Sequence, residues 1–165
     1  MESILKLRNM TAIYLLKEDR ILMLYRQGSE VVNDKWIGSA GGHFEEQELN
    51  NPVACVLREL EEELSVTEDM IENLALRYIM CRRVKNEIRQ NYYFFADLKD
   101  ETDENLNSNE GMLKWFGFDE VSALEMPMSA KYMMEHFLTM GRYNDKIYVG
   151  TAGSERGFFS ELTEC

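Results

Sequence analysis

One run constrains this chain more than any other: Pro52-Val53-Ala54-Cys55-Val56-Leu57-Arg58-Glu59-Leu60-Glu61-Glu62-Glu63-Leu64. Turned at about 100° per residue, as an α-helix turns, Val53, Val56, Leu57, Leu60 and Leu64 fall in one arc. That arc is roughly 100° wide, enough for a stripe facing a core. Glu59, Glu62 and Glu63 fill a second arc beside it, and their i, i+3 and i+4 spacing makes them neighbours. Asn50 or Asn51 can cap the helix, and Pro52 suits its first turn. The run is therefore a helix with two working faces, one that must be buried and one that is strongly acidic.

Three carboxylates on one face repel unless something cationic joins them. Arg58 compensates one. A hard divalent cation would compensate the rest, and magnesium commonly combines carboxylates, substrate phosphates and water as ligands. The simpler alternative is that glutamates are good helix formers on a solvated face. The net charge of −12 speaks against a nucleic-acid duplex as partner, which needs clustered Lys and Arg. It does not speak against a small phosphate compound bound through cations.

Around this helix the chain reads as one α+β domain over residues 1–165, with an uninformative tail at 151–165. Residues 11–16 and 21–26 form an expected hairpin, followed by a polar loop at 27–34. The glycines of Trp36-Ile37-Gly38-Ser39-Ala40-Gly41-Gly42 suggest a tight backbone path rather than regular structure. A second hairpin is expected from 77–83 and 91–98 across a loop at 84–90. A polar loop at 99–110, a strand at 113–118, a helix at 129–140 and a short strand at 146–149 follow. No apolar run reaches the roughly 18–20 residues that span a bilayer, and Met1-Glu2-Ser3-Ile4-Leu5-Lys6 lacks a signal-peptide layout. A cytoplasmic protein with no membrane contact is expected. Cys55, Cys81 and Cys165 match no zinc spacing and read as small buried or terminal thiols.

The residues around the helix resemble the Nudix box: G, five residues, E, seven residues, then R-E-U-x-E-E-x-G-U with U aliphatic. Gly42, five residues and Glu48 match the first part, and Arg58-Glu59-Leu60-Glu61-Glu62-Glu63 with Val66 match the second. Lys35-Trp36-Ile37-Gly38 is similar to the approach to the box in MutT-like enzymes. Two departures stand out. Nine residues separate Glu48 from Arg58, an extra pair placed around Leu49-Asn50 in the loop before the helix. Ser65 replaces the glycine that favours a left-handed helix end.

The resemblance implies an α/β/α sandwich around a mixed sheet, with the box as a loop-helix-loop. It implies hydrolysis of a nucleoside diphosphate linked to another moiety with Mg²⁺, for which Mn²⁺ can substitute. Carried over by position, Glu59, Glu62 and Glu63 would be metal ligands with the Gly42 carbonyl, and Glu48 would pair with Arg58 and hold it. A carboxylate would take the proton of the attacking water. Glu59 is one candidate and Glu110 another, with a plain loop acid as the alternative for Glu110.

Asn109-Glu110-Gly111-Met112-Leu113-Lys114-Trp115 is similar to the same region of oxidised-purine nucleotide hydrolases. Trp115 would then stack on a base, the alternative being core packing in a strand; Arg26 and Gly41 join it as expected substrate contacts. Where those relatives read an oxidised purine with an Asn or paired Asp residues, this chain has Ile37 and Met126-Pro127-Met128-Ser129. The expected activity is cleavage of a nucleoside triphosphate, an oxidised purine nucleotide such as 8-oxo-dGTP among the candidates, to monophosphate and pyrophosphate. A catalytically silent nucleotide sensor and a hydrolase of another nucleoside-diphosphate-linked compound are the alternatives. The expected partner is a small nucleotide, with a homodimer left open.

Overall fold

The computed structural model describes residues 4–28 and 34–165. Part of the N-terminal segment (residues 1–3) and of the expected 27–34 loop (residues 29–33) lie outside the described residues. Strand β1 (Lys6–Lys17) turns through Glu18 and Asp19 into β2 (Arg20–Arg26). Two short strands follow, β3 (Lys35–Ile37) and β4 (Ala40–His43), then helix α1 (Pro52–Leu64). Strands β5 (Ile71–Val84) and β6 (Glu87–Leu98) form the longest hairpin. Strand β7 (Gly111–Gly117) leads into the single-turn helix α2 (Phe118–Val121), helix α3 (Met128–Thr139) and a last hairpin, β8 (Tyr148–Ala152) and β9 (Gly157–Glu161).

The strands make one mixed sheet in the order β3-β2-β1-β6-β5-β8-β9, with β4 on β1 and β7 on β2. β1 runs parallel to β6, and β5 parallel to β8; the other pairs are antiparallel. Period-2 alternation sends alternate β1 residues to opposite faces. Ile13 and Leu15 join Val56, Leu60 and Leu64 under α1, whereas Tyr14 joins Met133, Met134 and Phe137 under α3. The α/β/α layering expected from the sequence is what these two cores build.

Two expectations are corrected. Gly41 and Gly42 lie in regular structure: β4 pairs antiparallel with β1, Ala12 opposite Gly41 and Thr11 opposite Gly42. A Cβ at Gly41 would sit 2.3 Å from the Thr11 carbonyl oxygen, so glycine is required by close approach. Residues 84–90 are likewise mostly strand, since the β5–β6 turn takes only Lys85 and Asn86 and Lys85 adopts φ 54°. Charge density made that segment look like a loop. The register shows why it is not, because both strands stay paired out to Val84 and Glu87.

β1 changes partner along its length, pairing with β4 at residues 10–13 and with β2 at residues 15–17. Where β2 parts from β1, the buried Ser39 hydroxyl fills the gap, accepting from the Leu15 N–H (3.0 Å) and donating to the Leu22 carbonyl (2.6 Å). This change of partner opens the sheet beside β4, and the site lies there.

Candidate active site

Helix α1 is fixed at both ends. The Asn51 side chain accepts from the Ala54 N–H at 3.1 Å, and Ser65 closes the helix in the left-handed region (φ 55°, ψ 31°). Its apolar residues Val56, Leu60 and Leu64 are buried. Ahead of it, Glu46–Glu48 form one 3₁₀ turn, and Leu49, Asn50 and Asn51 lead into the helix. The extra pair relative to the box pattern is absorbed in this connection, and the spacing of the helical glutamates is untouched.

Glu48 is 4% exposed and meets Arg58 in a two-pronged pair: Arg58 Nε donates to Glu48 Oε2 at 2.8 Å and Nη2 to Oε1 at 2.9 Å. Planar fork-on-fork pairing of this kind is among the stronger charge-assisted contacts. The guanidinium beside it holds the Glu48 carboxyl below the usual carboxylate range. The other edge of Arg58 reaches Glu59 Oε1 (2.9 Å), Glu62 Oε2 (3.1 Å) and the His43 carbonyl (3.1 Å). One arginine thus ties the turn, the helix and the end of β4 together.

Glu59 packs against Gly42 so closely that a Cβ there would lie 2.3 Å from Glu59 Oε1. Glu63 accepts a long contact from the Gly41 N–H (3.4 Å). Its carboxyl is pushed up to about 8, by burial first, then by Glu59 and Glu110 nearby. Glu110, at the end of the acidic loop, pairs with Arg26 (3.1 Å), while Asn109 donates to the Glu62 carbonyl (3.4 Å). Loop 99–110 is therefore laid across the acidic face of α1, and the sequence-predicted Glu59, Glu63, Glu110, Arg26, Gly41 and Gly42 line one cavity of about 570 Å³. That volume lies in the range of small-molecule sites. Glu62 is the outlier. Its side chain is 57% exposed and turned to Arg58, and it is not among the lining residues.

Among the described residues, no group of three His, Cys, Asp or Glu side chains converges in metal-holding geometry. Arg58 lies between Glu59 and Glu62 in the place where a cation would draw them together. The donor set nevertheless fits a hard divalent ion. It supplies carboxylate oxygens on two sides of the cavity, and the half-buried Glu63 is pushed toward protonation by burial first and then by its acidic neighbours Glu59 and Glu110.

Trp115 is not brought to the cavity with the other expected substrate contacts. It lies outside the cavity lining, on the same face of the sheet as Leu113 and its partner Leu22, packed into the core beneath α1. Its indole donates to the Glu104 carbonyl (3.0 Å), and the Arg20 guanidinium lies 5.3 Å from the ring centre. The indole N–H is thus satisfied by a loop carbonyl, which leaves packing as the role its position supports. The aromatic side chains that line the cavity are Tyr14, Phe44 and Tyr93. Tyr14 is fully buried, and its hydroxyl has no hydrogen-bond partner among the described residues. Alternation along β1 is the sequence signal that sets Tyr14 on the face opposite Ile13 and Leu15.

Cys55 is buried behind Gly42 and His43, its thiol pushed up to about 11 chiefly by burial, so it stays protonated. His43 is pushed below its ordinary value by burial and by Arg8. A larger cleft of about 980 Å³ contains Arg77, Asp97, Asp119 and Arg142 but no carboxylate of α1. Arg77 there is spent on the carbonyls of Gly141, Asn144 and Lys146. No helix among the described residues is long and apolar enough to cross a membrane.

A model of the NUDIX domain matches residues 6–137, and the chain belongs to the Nudix family as a Nudix hydrolase. Enzymes of this family act on small molecules that contain a nucleoside diphosphate linked to another moiety, and they generally use divalent metals. Among solved structures the chain is similar to the mutator MutT protein of Bacillus halodurans, at 22% identity over 96% of this chain and 99% of that one, TM-score 0.68. It is also similar to the E. coli ORF135 protein (19% identity, 85% and 94% covered, TM-score 0.65). A C. elegans Ap4A hydrolase, solved as a binary complex, matches at 15% identity, 84% and 99% covered, TM-score 0.61. At these identities the likeness establishes the fold. Comparison with curated proteins gives no significant match.

Proposed function

We propose that this enzyme is a Mg²⁺-dependent nucleoside triphosphate diphosphatase that releases a nucleoside monophosphate and pyrophosphate. The observation that carries the reading is the convergence of Glu59 and Glu63 on α1 with Glu110 on the facing loop, all lining one nucleotide-sized cavity. Glu59, Glu62 and Glu63, with the Gly42 carbonyl, would hold the metal. When bound, the metal neutralises phosphate oxygens and lowers the pKa of a coordinated water. Glu48 clamps Arg58, and Arg58 in turn sets the side chains of Glu59 and Glu62. Glu110, held by Arg26, is the base that accepts the water's proton, because it faces the α1 carboxylates from across the cavity. Arg26 and Gly41 lie against the substrate, and its base lies at the end of the cavity lined by Ile37, Gly38 and Pro127.

The test is a panel of ordinary and oxidised-purine nucleoside triphosphates, dinucleoside polyphosphates and nucleoside diphosphate sugars, offered with Mg²⁺ or Mn²⁺, with products identified by mass. Monophosphate and pyrophosphate from a triphosphate are expected. Release of orthophosphate would overturn the diphosphatase assignment. Binding without turnover of any compound under either metal would make the chain a silent nucleotide sensor.

A further inference from the structure

We propose that three arginines on adjacent strands form an anion subsite for phosphoryl groups beyond the scissile linkage, so that the enzyme prefers substrates with a charged leaving portion. This deepens the reading above and rests on it. Arg8 on β1 is registered beside Arg89 on β6, and Arg89 beside Arg82 on β5. Directly paired residues point to the same face, and all three side chains line the active-site cavity. Strands lie about 4.8 Å apart, so the row is about 10 Å long.

Like charges in cross-strand pairs are destabilising, and little on the protein offsets these. Glu87 alone is shared, at 2.5 Å from Arg89 Nε and 3.7 Å from Arg8 Nη1. Arg8 Nε also donates to His43 Nε2 at 2.6 Å, which orients it without adding negative charge. No ion pair to Arg82 occurs among the described residues, although the side chain is half-buried. Three guanidinium groups with one carboxylate, in a chain of net charge −12, amount to a local cation excess facing a cavity. Guanidinium forks suit phosphate oxygens geometrically as well as electrostatically.

The row's place along the cavity says which part of a substrate it meets. Arg8, Ala12 and Tyr14 lie on one face of β1 and all line the cavity, and Arg8 and Tyr14 are about 20 Å apart along the strand. Tyr14, Gly38 and Ala130 make the apolar end. Gly41 and Gly42, which carry the contacts to Glu63 and Glu59, pair with Ala12 and Thr11 in the middle. His43 pairs with Met10 and touches Arg8 at the cationic end. A base at the apolar end and a phosphoanhydride at the carboxylates leave the departing portion over the arginines.

The experiment has two arms, each on the full chain. In EDTA, where no metal-carboxylate contact contributes, the parent binds inorganic tripolyphosphate by calorimetry, and Arg82→Gln and Arg89→Gln weaken that binding about 10-fold or more. With Mg²⁺, Arg82→Gln shifts the ratio of kcat/KM for a nucleoside triphosphate over a nucleoside diphosphate carrying a neutral hexose about 10-fold toward the hexose compound. Arg82→Lys recovers part of the loss. Arg83→Gln, one residue along on the other face of β5, serves as control and moves neither quantity. Equal tripolyphosphate binding by parent and variants overturns the subsite, as does an unchanged substrate ratio. Tripolyphosphate binding that depends on the row, in a protein that hydrolyses no nucleotide, supports the subsite and sinks only the hydrolase reading.

Discussion

Helices α1 and α3 cover opposite faces of one sheet and are almost the same length, 13 and 12 residues. They are built on different terms. α3 buries Ala130, Met133, Met134 and Phe137 and carries a single glutamate, Glu135. Pro127, the residue before its first turn, offers it no side-chain cap. α1 is capped at its start and closed by a left-handed residue, and it holds four glutamates within five residues. Packing keeps α3 in place. α1 needs packing and firm ends as well, because its acidic face works against it until an arginine and a bound cation balance the charge. A helix that keeps a self-repelling face in place is one whose cost is offset elsewhere, and here Glu48 and Arg58 do most of that.

The strongest way to break the comparison is to make one substitution on each helix. Phe137 stacks on Phe95 with ring centres 4.1 Å apart and is 2% exposed. Phe137→Ala is expected to cost about 3–5 kcal/mol of stability while leaving turnover per folded molecule near the parent's, measured by denaturant unfolding and by assay of the folded fraction. Glu63→Gln should do the reverse. It should leave unfolding unchanged or shifted upward, and lose more than the roughly 10- to 100-fold in turnover that supporting residues of metal sites typically cost. If both variants lose stability alike, the division of labour between the helices is wrong.

How much of this was legible beforehand follows from the same contrast. α1 could be read residue by residue because its period, its cap and its acid spacing are local. The layered fold followed from the resemblance together with those patterns. What escaped was set by pairing between distant segments. Arg89 looked like a loop residue until the β5–β6 register placed it in a strand opposite Arg82, and Arg8 lay before the first strand that was expected. Trp115 was assigned to the substrate from its neighbours in sequence, whereas the alternation of β7 decides which face it joins. Of the β8–β9 hairpin only the first strand left a trace, since the second, Gly-Phe-Phe-Ser-Glu, is short and mostly exposed.

A smaller effect sharpens the account of α1. Glu48→Gln keeps the shape of the buried pair with Arg58 but removes its charge, and activity should fall about 10- to 100-fold with α1 still folded. The sign of the pH effect follows from the depressed Glu48 carboxyl. Its contribution to stability is complete above the ordinary carboxylate range and is lost as pH falls through its lower folded-state value. Acid titration of the unfolding free energy should therefore be shallower in Glu48→Gln than in the parent. Equal slopes would show that Arg58 is held by its other partners.

The smallest expected change is at the end of the same helix. Ser65 occupies φ 55°, where glycine has no steric penalty. Ser65→Gly should raise stability by about 0.5–1 kcal/mol, read as a rise in the denaturant midpoint, with turnover unaltered. No gain would mean that the serine side chain offsets the strain locally.

The pairing of β8 on β5 has a consequence for how the protein is made. The family domain ends at residue 137, but the outer edge of β5 at Tyr78–Cys81 is covered by Tyr148–Thr151. During synthesis those 137 residues emerge first, with that strand edge still bare. At about 5–20 residues per second the covering hairpin arrives roughly one to five seconds later. For that interval the nascent domain presents an unpaired edge, the surface through which strands of neighbouring chains associate. The hairpin then acts late, sealing a sheet whose other partners are already in place.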